Sequence, residues 1–279
     1  MREQILKDSA KYIDQFKGKI FVIKYGGSML DDKVLSDSVL DDIVCFHNNE
    51  IKIVLIHGGG ATISRLMQQR GKEPKFIDGL RITDRETAGI VDDALTSVNN
   101  DLVERIRSRG ALAQPLVSSR NLTIKARKKQ DTVQENFLGD IDSIVTSHID
   151  EALSKKTIPV ISPVGRGGDK EPYNINADVA AAETASALSA EKLILLTNIK
   201  GVMKNKDDDG SLISHISEED TLELIKNHII EGGMIPKVKA GIQALDRGVK
   251  KVHIISGKIP HSLLLEVFTN EGTGTEIVR

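Results

Sequence analysis

Short runs of apolar and β-branched residues recur at "KIFVIK" (19–24), "IKIVLI" (51–56), "IPVIS" (158–162), "KLILLT" (192–197) and "VHIIS" (252–256). They are apolar at successive positions, so both faces of each strand are expected to be covered. Helical patterns lie between most of them, at 61–70, 84–109, 178–190, 218–228 and 235–248. This alternation predicts an α/β protein, a three-layer αβα sandwich around a mainly parallel central sheet. Residues 111–148 break the rhythm and read as a β-rich excursion of short, polar-edged strands. Two polar stretches, "VGRGGDKEPYN" (164–174) and "KNKDDDGS" (204–211), read as mobile loops. Ahead of the first strand, Ile5, Ala10, Ile13 and Phe16 fall near one face of an amphipathic N-terminal helix within residues 1–17.

Composition narrows the ligand rather than the fold. With 279 residues, 39% of them hydrophobic and 28% charged, the chain can bury a sizeable core. Its 40 acidic against 38 basic side chains leave a net charge of −2, with no excess of positive charge to favour a nucleic acid or an anionic membrane. The single Cys45 has no internal disulfide partner, the N-terminus lacks the apolar core of a signal peptide, and no apolar run is long enough to span a bilayer. The expectation is a cytoplasmic protein with a small-molecule ligand.

Glycines cluster directly after strands, as "YGGS", "HGGG", "PVGRGG" and "NIKGV". In an open parallel sheet, ligands bind beyond the C-terminal ends of the strands, where glycine lets backbone N–H groups approach an anion and a following helix adds positive potential. Gly26, Gly27, Gly58, Gly59 and Gly60 thus form a candidate anion cradle. Lys24 stands at the junction of strand and glycines, and Lys237 falls in the first turn of the helix after Gly232 and Gly233. A lysine there opposes the helix dipole, which points to an anion nearby. Between them, Asn176 or Asp178 is placed to cap an alanine-rich helix. His57, at a strand end, reads either as a packing residue or as an acid–base group. There is no G-x-x-x-x-G-K-[ST] motif and no G-x-G-x-x-G opening a helix after a strand, so neither a P-loop ATPase nor a Rossmann dehydrogenase is supported. Two lysines, an aspartate and helix ends around glycine cradles suit phosphoryl transfer, in which positioning and charge stabilisation supply most of the catalysis.

Taken in order, "KYGGS", "HGGG", "DGLRITD", "NINADVAAA", "LILLTNIKGV" and "GGMIPKVKA" resemble the motifs of the amino acid kinase family, from about residue 18 to the C-terminus. The closest likeness is to the branch that phosphorylates N-acetyl-L-glutamate in arginine biosynthesis. The resemblance implies one continuous kinase domain with an acceptor-binding lobe (18–190) and a nucleotide-binding lobe (191–279). ATP would be the phosphoryl donor, with Mg2+ carried mainly by the nucleotide phosphates and no metal held by the protein itself.

Carried over by motif, Lys24 and Lys237 would stabilise the transferring phosphoryl from opposite sides while Asp178 orients both. Gly26 and Gly27 would bind the nucleotide phosphates or the phosphoryl in flight. Gly59 and Gly60 would hold the acceptor carboxylate, Arg81 its α-carboxylate, and Asn174 its acetamido end or backbone carboxylate. Thr197, Asn198, Gly201, Gly233 and Met234 would form the nucleotide site. Three departures from the family pattern stand out: Asn198 replaces the usual Asp, Asn99-Asn100 the usual Asn-Lys, and Ile141-Asp142 the usual Val-Gly. Asp142 would either repel a dicarboxylate or point to solvent. The N-terminal helix and the "EGTGTEI" tail resemble those of arginine-inhibited members, which implies L-arginine as inhibitor near Tyr12, Glu271, Gly272 and Gly274. They also imply a homo-oligomer, a dimer extended to a hexameric trimer of dimers. A sister kinase for another acidic or N-blocked amino acid, or a catalytically silent arginine or nucleotide sensor, remains the alternative.

Overall fold

The computed structural model describes residues 10–26, 32–77, 80–117, 121–130, 136–205, 208–269 and 272–279. The first part of the chain runs α1 (Ala10–Phe16), β1 (Ile20–Tyr25), α2 (Lys33–Asn48), β2 (Lys52–His57), α3 (Gly60–Gln69), β3 (Phe76–Ile77), β4 (Leu80–Arg81) and α4 (Arg85–Arg107). There follow β5 (Ala113–Leu116), β6 (Ile124–Lys128), β7 (Gly139–Ile144), α5 (Ser147–Ser154), β8 (Ile158–Ile161), β9 (Val164–Arg166), β10 (Pro172–Asn174) and α6 (Ala177–Ala187). The last part comprises β11 (Lys192–Thr197), β12 (His215–Ser217), α7 (Glu218–Lys226), α8 (Met234–Asp246), β13 (Lys251–Ser256), α9 (Ser262–Phe268) and β14 (Thr275–Val278).

Eight strands form the main sheet in the order β12-β14-β13-β11-β1-β2-β8-β5, and every neighbouring pair is parallel except β13 with β14. Because side chains alternate across a strand, the apolar runs cover both faces. Phe21, Ile23 and Tyr25 pack with Leu40, Ile43 and Phe46 of α2 and with Leu263 and Leu264 of α9. Val22, Val54, Leu193 and Leu195 face the other way, against Ala181 and Ala185 of α6 and Val238 and Leu245 of α8. This is the expected three-layer sandwich. Alanines on α6 bring that helix close to the sheet, which places its N-terminus at the ends of the strands. An edge-to-face aromatic ladder, Phe16–Phe21–Phe46–Phe268 at centroid spacings of 5.2, 5.7 and 5.3 Å, anchors α1 to the opposite layer.

The excursion at 111–148 divides. Residues 113–116 form the edge strand of the main sheet, whereas β6 and β7 join β9 and β10 in a four-stranded side sheet. The stretch 164–174 is not a loop but a hairpin, pairing Arg166 with Pro172, Gly165 with Tyr173 and Val164 with Asn174. Asp169 is satisfied within it, accepting from Tyr173 OH at 2.6 Å and from Glu171 N at 3.1 Å, while Glu171 pairs with Arg85 and Arg166 with Asp92, both on α4. In "KNKDDDGS", residues 206 and 207 lie outside the described residues. Ser211 Oγ ties that segment together, accepting from the N–H of Asn205 at 3.0 Å and donating to the carbonyl of Asp208 at 2.7 Å.

Candidate active site

Lys24 shares the face of β1 that carries Val22, so it points toward α6 and α8. At the start of α6, Asn176 is the cap: its Oδ1 accepts from the N–H groups of Asp178 at 2.8 Å and Val179 at 3.2 Å. Asp178 is thereby left to project from the first turn. Gly232, at φ +53°, and Gly233 lead into α8, and Lys237 follows one turn in. The three side chains meet. Lys24 Nζ lies 2.9 Å from Asp178 Oδ1, and Lys237 Nζ donates to Asp178 Oδ2 at 2.7 Å. Asp178 is 4% exposed and Lys24 7%.

Burial lowers the pKa of Lys24, against the attraction of Asp178, and the Lys237 charge lowers it further. For Asp178, burial would raise the pKa, but the two ammonium groups outweigh it and hold the carboxyl below its usual range. Two ammonium groups against one carboxylate leave one positive charge. Asp178 Oδ1, although close to Lys24, has no partner in hydrogen-bond geometry, so that contact is ionic.

Two clefts meet at this cluster. One, of about 440 Å3, is lined by Lys24, Gly58, Gly59, Gly60, Arg81, Asn174, Asp178 and Lys237, with Ile63, Phe76 and Leu138 as apolar walls. The other, of about 480 Å3, is lined by Asn198, Gly201, Gly233, Met234 and Lys237 together with Ile199, Val202, Met203, Ile229 and Ile230. Lys237 belongs to both. Those apolar walls escaped the sequence reading. The signal for Ile229 and Ile230 was their position directly before the "EGG" that opens α8.

In the first cleft, Arg81 Nη2 donates to Gly60 O and Ser64 Oγ, each at 2.9 Å, and its guanidinium lies 4.7 Å over the Phe76 ring. Asn174 Nδ2 reaches Thr83 Oγ1 at 3.4 Å. In the second cleft, Thr197 is the exception among the expected residues. It does not line the cleft, and its hydroxyl is spent on Ile199, accepting from the N–H at 2.9 Å and donating to the carbonyl at 2.8 Å. Gly26 ends β1 against Leu196, and an added Cβ would come within 3.0 Å of Leu196 O. Gly27 lies outside the described residues. Among the described residues no group of three His, Cys, Asp or Glu is placed to hold a metal ion.

Asp142 points away from the site: its Oδ1 is 2.5 Å from Arg127 Nη1 on the side sheet, and it lines neither cleft. His57 is fully buried and lines neither cleft, so it has no access to an acceptor; burial pushes its pKa down to about 4. At the tail, Glu271 and the side chain of Tyr12 lie outside the described residues. The backbone N–H groups of Thr273 and Gly274 are taken: both donate to Glu266 Oε2, at 2.6 and 3.0 Å. Gly272 (φ +63°) turns the chain there, and Gly274 passes so close to β13 that a Cβ would sit 2.3 Å from Ile254 O.

The model of the amino acid kinase family matches residues 19–256. The chain belongs to the amino acid kinase family. A curated relative, the acetylglutamate kinase of Methanococcus aeolicus, is 43% identical over 100% of this chain and 98% of its own length. Among solved structures, the N-acetylglutamate synthase of Neisseria gonorrhoeae complexed with coenzyme A and N-acetyl-glutamate superposes with a TM-score of 0.87 at 26% identity, covering 99% of this chain. The same synthase complexed with coenzyme A and L-arginine gives 0.84 at 25% identity over 99% of this chain. This chain spans 63% and 65% of those two synthase chains. Among the described residues no helix is long and apolar enough to cross a membrane.

Proposed function

We propose that the chain is an acetylglutamate kinase, which transfers the γ-phosphoryl of ATP to the γ-carboxylate of N-acetyl-L-glutamate in arginine biosynthesis. The observation that carries the reading is the cationic Lys24–Asp178–Lys237 cluster at the junction of the two clefts. Full-length relatives bearing that name support the choice of acceptor. A carboxylate oxygen forms the new bond to the γ-phosphorus as the bond to the ADP oxygen breaks, giving an acyl phosphate and ADP. Lys24 and Lys237 stabilise the negative charge on the phosphoryl in flight, and Asp178 keeps the two ammonium groups from separating. Gly59 and Gly60 present N–H groups to the acceptor, Arg81 and Asn174 hold its far end, and the apolar walls of the second cleft take the nucleotide base. Mg2+ rides on the nucleotide phosphates. On this reading residues 18–190 form the acceptor lobe and 191–279 the nucleotide lobe of a cytoplasmic enzyme.

The test is ADP release with a panel of acceptors: N-acetylglutamate, free glutamate, aspartate, carbamate and a carrier-linked aminoadipate. Turnover on N-acetylglutamate alone is expected; preference for another acceptor, or none, sinks the reading.

The same proposal includes regulation. L-arginine inhibits by binding where α1 approaches the C-terminal tail, and α1 assembles dimers into a hexamer. The support is the likeness to a synthase crystallised with L-arginine and the path of contacts there: Phe16 beneath Lys192, Lys192 on His253, and His253 on Glu266, which holds the tail. Removal of residues 1–16 should leave an active dimer indifferent to arginine, and sedimentation with an activity titration would expose a truncated protein that stayed hexameric or arginine-sensitive.

A further inference from the structure

His57 closes β2 one residue before the glycine cradle, and phosphoryl transfer as described gives it no part. Its contacts nevertheless decide where its ring proton sits. Asn99 Nδ2, on α4, lies 2.8 Å from Val160 O. A carbonyl only accepts, so Asn99 must turn its amide nitrogen that way. The same Nδ2 lies 3.0 Å from His57 Nε2. An amide nitrogen only donates, so Nε2 must be the bare nitrogen. The proton is then on Nδ1, which donates to Gly58 O at 3.0 Å. The chain runs from carbonyl to amide to imidazole to carbonyl with every link matched. The other tautomer would oppose two donors at Asn99 and two acceptors at Gly58.

This arrangement costs something. Asn99 Oδ1 is buried with no partner, a desolvation loss that an apolar residue would avoid. Such a cost points to a task for the two donors on the same amide.

That task lies in the next peptide. In a trans peptide the Gly58 carbonyl and the Gly59 N–H point in opposite directions. Drawing Gly58 O onto the buried ring therefore turns Gly59 N–H away from it, toward the cleft that Gly59 lines. The flanks are pinned as well: Gly58 N donates to Tyr25 O and Gly59 O accepts from Ile63 N, both at 2.8 Å. Gly59 also lies tight on α4, where a Cβ would come within 2.5 Å of Leu95 Cδ2, one helical turn before Asn99. We propose that His57 and Asn99 are positioning residues, which lock the Gly58–Gly59 peptide so that Gly59 N–H faces the acceptor carboxylate. The ligand in this statement rests on the kinase reading; the tautomer does not.

Ring 15N spectra of the full chain, assigned by difference with His57→Asn, test the tautomer directly. They should show the proton of His57 on Nδ1; a proton on Nε2 overturns the proposal. Asn99→Asp places an acceptor at Nε2 and should move the proton there. It should also lower kcat/KM for the acceptor about tenfold, the worth of one well-placed hydrogen bond, with KM for ATP unchanged. His57→Asn keeps a donor near the Nδ1 position and should retain more acceptor kcat/KM than His57→Leu. A folded Asn99→Asp variant with unaltered acceptor kinetics, or with equal losses toward ATP and acceptor, contradicts the assignment; should that variant fail to fold, the two His57 variants decide by the same split. A wild-type protein without turnover on any acceptor would instead sink the kinase reading, separately from the ring spectra.

Discussion

Two buried lysines lie on adjacent strands of the central sheet but at opposite ends. Lys24 is near the C-terminal end of β1 and 7% exposed, and Lys192 opens β11 and is 5% exposed. Burial depresses both; Lys192 is pushed down to about 8. Their surroundings differ. Lys192 Nζ donates to His253 Nε2 at 3.0 Å, His253 Nδ1 donates to Glu266 Oε1 at 2.8 Å, and the other oxygen of Glu266 accepts the N–H groups of Thr273 and Gly274. That chain closes on the protein, with one ammonium balanced by one carboxylate. Lys24 shares its single carboxylate with Lys237, and the unbalanced charge opens onto two clefts. Burial and a shifted pKa therefore do not separate the lysine proposed as catalytic from the one enclosed by the protein. An uncompensated charge facing a cleft does.

The largest expected effect tests that distinction. Lys24→Ala and Lys237→Ala should each lower kcat about a hundredfold or more, roughly 3 kcal/mol, with much smaller changes in KM, because the charge they stabilise develops in the transition state. Lys192→Met should leave kcat nearly intact in the same steady-state assay. A loss at Lys192 as large as at Lys24 would break the comparison.

His57 sharpens it from the side of stability. Its pKa is about 4 in the fold, against about 6.5 in an unfolded chain. Below pH 6.5 the unfolded chain takes up the proton while the fold does not, so stability should fall as pH drops from 6.5 toward 4, by up to about 3 kcal/mol, and this group should have no effect above that window. Urea unfolding at pH 7 and pH 4.5 should show a smaller acid loss for His57→Asn than for the wild type.

At Arg81 the expected change is smaller. Replacing it by Lys keeps the charge but loses the planar fork, and should weaken acetylglutamate about tenfold while sparing MgATP in calorimetric titrations. Equal weakening of both ligands would make Arg81 a structural residue. Smallest is Asn176→Ala, which removes the cap of α6 and should cost about 1 kcal/mol in a thermal melt.

Much of the fold was legible because strands buried on both faces leave continuous apolar runs, and every such run became a strand of the main sheet. The omissions have separate causes. The strands β12 and β14, three and four residues long, are too short to carry a period. For α2, Leu40, Ile43 and Phe46 keep helical spacing and Asp32 caps the start, so the signal was present and unread. The hairpin at 164–174 was hidden by its charges, whose partners, Arg85 and Asp92 on α4 among them, only the folded chain brings alongside.

The amino-acid sequence alone determined which residues end the strands: glycine is needed where the backbone must approach a neighbour or a ligand, and a lysine before it faces whatever lies beyond. It also determined the family, through motifs that local geometry requires. Only the tertiary structure decided that Lys192 is tied through His253 to Glu266, that Arg127 turns Asp142 outward, and that Glu266 occupies the backbone of the tail. It alone decided as well that His57 is neutral, with its proton on Nδ1. The reason is common to all four. Charge state and hydrogen-bond direction depend on burial and on partners brought together from distant parts of the chain, and neither leaves a local pattern in the residues that carry it.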